Sequence, residues 1–388
     1  MVSRLRQVKR EVEMITSTYL WGVALVSIQE LIGISLGSIL DILDIISGMI
    51  LESPSLLLRL VLFNLKPLTQ IIVIPGLAFI LLFAIIVVWF ERKFLARAML
   101  RVGPYYCGGR SGVLQLIADF LKLFLKEIVI PKDAHRALFV SMPVILPTIP
   151  ALAITLIPFD LDWVLFRAGG LSLPMFFAIA GFSPLIPVFA GWAANNKYTI
   201  IGSLRTAFLY ISAEIPLVLC AAAVAIMAGS FDLVRIVEAQ STIWFSVPQF
   251  IGFIIFFLGL IIEAERTPFD IPTAEVELVL GWRTEFSGIL FGFTMMAEYV
   301  SFLAWALLFI TLYLGGYNGP NIFGLPLYSH IFWILFKLAI LVPIVILIRG
   351  VFPRFRMDQL LRLGWYYLMP LSILNLFITL ALKLGGIF

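Results

Sequence analysis

The sequence predicts an all-α fold, a polytopic bundle of helices that cross a membrane. Of the 388 residues, 62% are hydrophobic and only 13% are charged, whereas a soluble domain carries about 25% charged residues. Uncharged runs long enough to cross a bilayer occur along the whole chain, and a helix satisfies its backbone hydrogen bonds internally. We therefore expect a single membrane domain over residues 68–388, preceded by an N-terminal extension over residues 1–67.

Eight stretches are long and apolar enough to form core transmembrane helices. About 20 apolar residues are needed to cross the hydrocarbon core as a helix. The loops between the stretches alternate between basic and basic-poor, which places the basic loops on the cytoplasmic side. The predicted spans cover residues 70–90, 137–158, 171–193, 206–229, 245–264, 287–314, 329–348 and 364–383.

The N-terminal extension admits two interpretations. A basic tail at residues 4–10 precedes a hydrophobic stretch, Tyr19 to Leu51, that acids and glycines interrupt. A ninth span near residues 14–40 would keep the basic tail on the cytoplasmic side. Otherwise the extension lies along the outer face as amphipathic helices.

Composition argues against several classes of function. The formal charge is +4, but the basic residues cluster in loops between apolar spans, as membrane topology demands, so nucleic-acid binding is not supported. The chain has two cysteines and two histidines, far apart in sequence. A zinc site or iron–sulfur cluster usually takes about four such ligands in paired spacings. We therefore expect any redox centre to belong to partner proteins.

The first basic loop contains an amphipathic helix. Residues 113–127 place Gln115, Asp119, Lys122 and Lys126 on one stripe of an otherwise apolar cylinder. Such a helix lies at the membrane interface, and a simple anchor is its plainest interpretation. The basic, glycine-containing segment 91–112 leads into it, so the two segments together are also suited to an opening for an amphiphilic molecule that travels in the bilayer.

Carboxylates occur within and next to the predicted spans, where burying a charge costs free energy. Ionisable groups cost about 2.5–3.5 kcal/mol at the centre of an inserted helix and usually line a cavity or ion path. Glu214 lies in such a span, two residues before Pro216, and Glu298 lies in another. Each acid taken alone could equally pair with nearby arginines, but the collection favours a proton relay whose members titrate together. The loop after the fifth span adds Glu263, Glu265, Asp270, Glu275, Glu277 and Glu285.

Several long motifs in order resemble the family of H subunits of complex I, equivalent to the mitochondrially encoded subunit 1. The resemblance covers roughly residues 70–385. The motifs are ERKFLARAMLRVGP at 91–104, GVLQLIADFLKLFLKE at 112–127, AGWAANNKYTIIGSLRTAFLYISAEIP at 190–216, ERTPFD at 265–270, AEVELVLGWRTEFSG at 274–288, AEY at 297–299 and FPRFRMDQLLRLGW at 352–365.

The resemblance implies a membrane subunit of a proton-translocating NADH:quinone oxidoreductase in a prokaryotic plasma membrane. Quinone would be its substrate, and the chain itself would bind no cofactor. Partner subunits of the membrane and hydrophilic arms would hold FMN and the iron–sulfur clusters. The quinone tunnel would involve Arg92, Arg101, Asp119 and Lys122. The acidic channel to the proton path would involve Glu214, Glu263, Glu275, Glu277, Glu285 and Glu298.

Some positions depart from the family pattern and leave alternatives open. Glu265 and Arg283 stand where asparagine is usual, and Thr273 begins a pair that replaces an acid and a glycine. We expect Arg283 to pair with Glu285 or Glu277. The altered loop keeps a second function open, the related membrane subunit of a ferredoxin-dependent energy-converting hydrogenase that uses no quinone. A free-standing ion transporter is the third alternative.

Overall fold

The structure is a computed structural model that describes residues 76–388, except 110–111, 162, 167, 272–274, 321–325 and 386–388, and except the side chains of 275–276 and 326–328. The chain divides into two units, residues 1–69 and 70–388. The predicted N-terminal extension, with its alternative of a ninth span near 14–40, lies outside the described residues.

Secondary structure in the described part of the chain is helical, without strands. The helices are α1 (Leu77–Ala98), α2 (Leu114–Leu125), α3 (Arg136–Ile154), α4 (Ser172–Ala180), α5 (Leu185–Ala193), α6 (Lys197–Ala228), α7 (Leu233–Ala239), α8 (Phe250–Glu263), α9 (Glu275–Leu278), a 3-10 turn (Gly281–Arg283), α10 (Gly288–Tyr313), α11 (Pro326–Val351), α12 (Met357–Arg362), a π-helical segment (Leu363–Leu368) and α13 (Met369–Leu384).

The prediction of a polytopic helical membrane bundle is confirmed. Among the described residues, six helical segments are long and apolar enough to cross a membrane, and α8 is a shorter apolar helix. The remaining predicted span corresponds to α1, which has 22 residues and carries Glu91, Arg92 and Lys93 near its end. The six are Arg136–Ile154, Ser172–Ala193, Lys197–Ala228, Gly288–Tyr313, Ser329–Val351 and Met357–Leu384.

Two predicted spans differ in detail from the helices observed. The stretch 171–193 is broken into α4 and α5 at residues 181–184, where Gly181 and Pro184 disfavour a continuous helix. The predicted span 206–229 begins earlier, at Lys197, because the side chain of Asn196 accepts a hydrogen bond from the backbone N–H of Tyr198 and caps the helix there.

Helix α10 is the most buried of the six membrane-spanning segments. It packs against α1, α3, α8 and α11, while α6 packs against α5, α8 and α13. Helix α2 has no buried residue and contacts α1 and α10, as expected of an interfacial helix. A second, smaller core lies between α3, α5 and α10 and includes Trp282 of the 3-10 turn. The polar residues described next lie where these helices meet.

Candidate functional site

The second half of helix α1 carries a buried carboxylate, Glu91, that two arginines hold. Arg266 Nη1 donates to both carboxylate oxygens of Glu91, at 3.0 and 3.1 Å. Arg349 of α11 also donates to Glu91, and the hydroxyl of Tyr299 donates at 3.1 Å. The guanidinium of Arg266 lies 4.4 Å from the ring centroid of Tyr299. We call these four residues the arginine clamp; hydrogen-bonded opposite charges offset the cost of burying them.

A second group surrounds Arg283. This side chain is buried in the 3-10 turn, and its Nη2 donates to Glu265 Oε2 at 2.7 Å while its Nη1 donates to Glu298 of α10. The hydroxyl of Tyr210 in α6 donates to Glu265 Oε1 at 2.9 Å. Burial, only partly offset by the charge of Arg283, raises the pKa of Glu265 to about 7.

The carboxylate of Glu263 lies beside this group. A small cavity has about 20 Å³ of space for water-sized molecules. It is lined by Glu263, Glu265 and Glu298, together with Tyr210 and Arg283. Glu263 Oε1 and Arg283 Nε are buried without a hydrogen-bond partner in the described structure. A cavity of this size holds about one water. We call Tyr210, Glu263, Glu265, Arg283 and Glu298 the acidic cluster.

The clamp and the acidic cluster are joined by neighbouring residues of the chain. Glu265 belongs to the acidic cluster, and the next residue, Arg266, belongs to the clamp. Likewise, Glu298 belongs to the acidic cluster, and the next residue, Tyr299, belongs to the clamp. Glu91 of the clamp is in turn followed by Arg92, which faces the first loop. Because neighbouring residues belong to different groups, a displacement of the backbone in one group would also displace the backbone of the next group.

Three of the residues predicted to bind quinone come together on α1 and α2. Arg92 donates to Asp119, and Gln115 Nε2 donates to Asp119 Oδ1 at 3.0 Å. Partial burial opposes ionisation of Asp119, but these two hydrogen bonds and the charges of Arg92 and Lys122 outweigh it, so the pKa is lowered. Arg101 is exposed and makes no ion pair among the described residues, so it does not join this group.

Glu214 of α6 faces the break between α4 and α5. A Cβ atom added to Gly181 would lie 3.0 Å from Glu214 Oε1, so a larger residue there would require this carboxylate to shift by a few tenths of an ångström. Among the acids, Glu263 lies close enough for its charge and that of Glu214 to repel each other. The turn between α4 and α5 therefore lies against a half-buried acid beside the acidic cluster.

Two other predicted acids, Glu277 and Glu285, make their contacts outside the cluster. Glu277 is 57% exposed at its side chain and pairs with Arg205 at 2.5 Å. Glu285 Oε1 accepts a hydrogen bond from Asn196 Nδ2 at 2.6 Å. The side chain of Glu275 lies outside the described residues. The expected pairing of Arg283 with Glu285 or Glu277 is wrong, because the 3-10 turn directs Arg283 inward, to Glu265 and Glu298.

Seven residues of the clamp and the acidic cluster were not among the predicted site residues, namely Glu91, Tyr210, Glu265, Arg266, Arg283, Tyr299 and Arg349. Glu91, Tyr299 and Arg349 were not singled out, although Glu91 and Tyr299 lie in motifs that carry the resemblance. Tyr210 precedes Glu214 by four residues, which is the spacing of neighbours on one helix face. That spacing was the available signal for Tyr210.

The described residues contain no group of three or more His, Cys, Asp or Glu side chains that could hold a metal ion. Cys107 lies in the first loop and Cys220 is buried in α6, and both are free thiols.

Comparison with known proteins identifies relatives over most of the chain. A sequence model of the NADH dehydrogenase family matches residues 70–380. The NADH-quinone oxidoreductase H subunit from Bacillus thuringiensis is 41% identical over 320 residues, which is 81% of this chain and 95% of that protein. Its counterparts from Bacillus cereus and from Bacillus anthracis show the same identity and coverage.

Proposed function

The chain belongs to the NADH dehydrogenase family, and from this premise we propose that it is the H-type membrane subunit of an NADH-quinone oxidoreductase. The complex would lie in a prokaryotic plasma membrane, with quinone as substrate and with FMN and iron–sulfur clusters in partner subunits. This chain would form the quinone entrance and the acidic proton-coupling channel. The names of its relatives and the extent of the match support the assignment.

One observation supports the coupling role, namely a series of charged groups in the described bundle that are linked by contacts and by neighbouring positions in the chain. The series begins at the Arg92–Asp119 pair, continues through the arginine clamp to the acidic cluster, and ends at Glu214. Buried carboxylates that repel one another take up and release protons as a set, so a change at one end alters proton occupancy along the series.

The mechanism follows from electrostatics. Quinone enters beside α1 and α2, where the cationic side chains of Arg92 and Lys122 attract its carbonyl oxygens and Asp119 holds Arg92 in place; Arg101, exposed after α1, adds positive charge on the approach to this group. Partner clusters would supply two electrons, and reduction of quinone to quinol with them also takes up two protons. Loss of those protons from nearby groups leaves negative charge that the clamp arginines experience first. Because Arg266 and Tyr299 adjoin Glu265 and Glu298, the acidic cluster then changes its proton occupancy and passes protons through Glu263 to Glu214.

The test is Glu214→Gln in the assembled complex, studied in membrane vesicles. We expect proton translocation driven by NADH to fall about tenfold or more, because the amide carries no exchangeable acid. NADH oxidation by an artificial acceptor in the hydrophilic arm stays near wild type. Glu238→Gln, an exposed acid on α7, is the matched control. Normal pumping by Glu214→Gln would remove Glu214 from the relay.

Purification separates this proposal from its alternatives. Flavin and iron–sulfur subunits that copurify with the chain, together with quinone in the lipid extract, agree with the proposal. The same partners without quinone and with ferredoxin-dependent activity would indicate the hydrogenase-type complex. A fully active isolated chain would indicate an ion transporter.

A further inference from the structure

We propose that Glu265 is an additional proton-carrying residue of the relay and that Arg283 is its positioning residue. The two side chains form a charge pair that adds one titratable carboxyl to the acidic cluster while leaving its net formal charge unchanged. This inference rests on the proposed function, since it assigns these two residues a place within the same proton path.

Charge accounting supports the role of the pair. With every group ionised, Glu263, Glu265 and Glu298 contribute three negative charges and Arg283 contributes one positive charge. All four side chains line one cavity that has room for about one water molecule. Glu265 and Arg283 cancel each other, so removing both leaves the remaining two carboxylates with the same net charge. Removing Arg283 alone leaves three mutually repelling carboxylates, which is a costly arrangement at low dielectric.

The contacts of Glu265 are those of a group that exchanges protons. Its Oε1 accepts from Tyr210 at 2.9 Å and its Oε2 from Arg283 at 2.7 Å, while Arg283 also donates to Glu298. When Glu265 takes up a proton, the guanidinium keeps a carboxylate partner in Glu298. Arg283 therefore stays charged and paired in both protonation states of Glu265, so neither state strands a buried cation.

The cavity supplies a partner for the exchange. Glu263 lines the same small space as Glu265 and has a buried carboxylate oxygen without a hydrogen-bond partner. Through one water in this space, a proton leaves the carboxyl of Glu265 and another arrives on Glu263, so that Glu265 becomes ionised and Glu263 neutral, ready to pass a proton on to Glu214. The step moves one proton and requires no other reactant.

The backbone at Glu265 indicates that its side chain is placed there at a cost. Glu265 has φ +48°, in the left-handed region, directly after α8 ends at Glu263. Glycine or asparagine usually occupies such a position after a helix. A glutamate in this conformation costs about 1 kcal/mol or more, which the buried contacts to Tyr210 and Arg283 must offset.

The groups that face Glu265 come from every neighbouring element. They are Tyr210 of α6, Glu263 of α8, Asp270 of the following loop, Arg283 of the 3-10 turn and Glu298 of α10. Together with burial they set the pKa of Glu265 to about 7. A carboxyl in this range changes protonation near neutral pH, where a relay operates.

A double-mutant cycle in the assembled complex tests the inference. The variants are Glu265→Asn, Arg283→Asn and the double variant; asparagine is uncharged and tolerates the left-handed backbone. We expect Arg283→Asn to reduce proton translocation about tenfold, and the double variant to recover to within about twofold of wild type. Glu265→Asn should abolish the inflection of the pH–rate profile near pH 7, and Glu265→Asp should retain it.

Two results would overturn the inference. One is a double variant as impaired as Arg283→Asn alone, and the other is an unchanged pH profile in Glu265→Asn. Artificial-acceptor activity reports assembly; if Arg283→Asn does not assemble, the pH profiles of Glu265→Asn and of the double variant decide. Loss of pumping in Glu214→Gln with normal behaviour of all Glu265 variants would refute this inference alone, whereas normal pumping in Glu214→Gln would refute the proposed proton path through Glu214.

Discussion

Replacing Arg266 by glutamine should destabilise the assembled protein far more than replacing Arg349 by glutamine, although both arginines bind Glu91. The side chains of Arg266 and Glu91 are only 7% and 5% exposed, whereas that of Arg349 is 36% exposed. Removing one partner of a buried pair costs about 3–5 kcal/mol. Because Glu91 would keep Arg349 and Tyr299, we take the lower limit, about 3 kcal/mol.

The partly exposed arginine contributes less, because water screens its charge and solvates it when the pair is broken. An exposed pair is worth about 1 kcal/mol at most. The two variants should therefore differ by about 2 kcal/mol, which is about a 30-fold difference in the ratio of folded to unfolded protein.

The assay is the half-time of heat inactivation of the complex, followed by NADH-driven quinone reduction after heating. We expect Arg266→Gln to inactivate much faster than Arg349→Gln, and Glu91→Gln combined with Arg266→Gln to recover part of the loss, because no buried carboxylate is then left half-neutralised. Arg354→Gln removes an exposed pair with Asp270 and is the control. Equal half-times for the two single variants would refute the reasoning.

Three further predictions follow from packing, titration and the first loop. Gly202→Ala should destabilise the protein by about 1–3 kcal/mol and so lower the yield of assembled, active complex, because the added Cβ would lie 2.6 Å from the backbone N of Trp282. Gly292→Ala, whose nearest contact would be 3.6 Å, is the control. Equal yields of the two variants would contradict this prediction. The pKa of Glu265 is raised to about 7 from the ordinary 4.5, so folding favours its neutral form and wild type loses stability as pH rises from about 4.5 to 7, with no further loss above that. Glu265→Gln should therefore gain heat stability relative to wild type between pH 5 and 7 and hold a constant difference from pH 7 to 8; a constant difference across the whole range would exclude the raised pKa. Arg101→Ala should weaken quinone reductase activity several-fold while leaving artificial-acceptor reduction unchanged, and an equal loss of both activities would indicate a structural role.

Hydropathy predicted the helices well because insertion depends on the local sequence. About 20 consecutive apolar residues decide whether a segment crosses a bilayer, and each predicted stretch corresponds to helical structure in the described chain. The amphipathic segment of the first loop was likewise legible, since a polar stripe at helical spacing needs no knowledge of tertiary contacts. The break at residues 181–184 was missed because apolar composition does not report helix continuity.

What the sequence by itself determined is the membrane class, the order of the spans, the family and the presence of acids in and near the membrane. Only the tertiary structure decided how those acids pair. Glu91 meets Arg266 and Arg349, which are 175 and 258 positions away, and Arg283 binds Glu265 and Glu298 rather than the acids of its own turn. Partners so distant are chosen by helix packing, and a buried charge is far more sensitive to that choice than an apolar side chain, whose burial is non-directional.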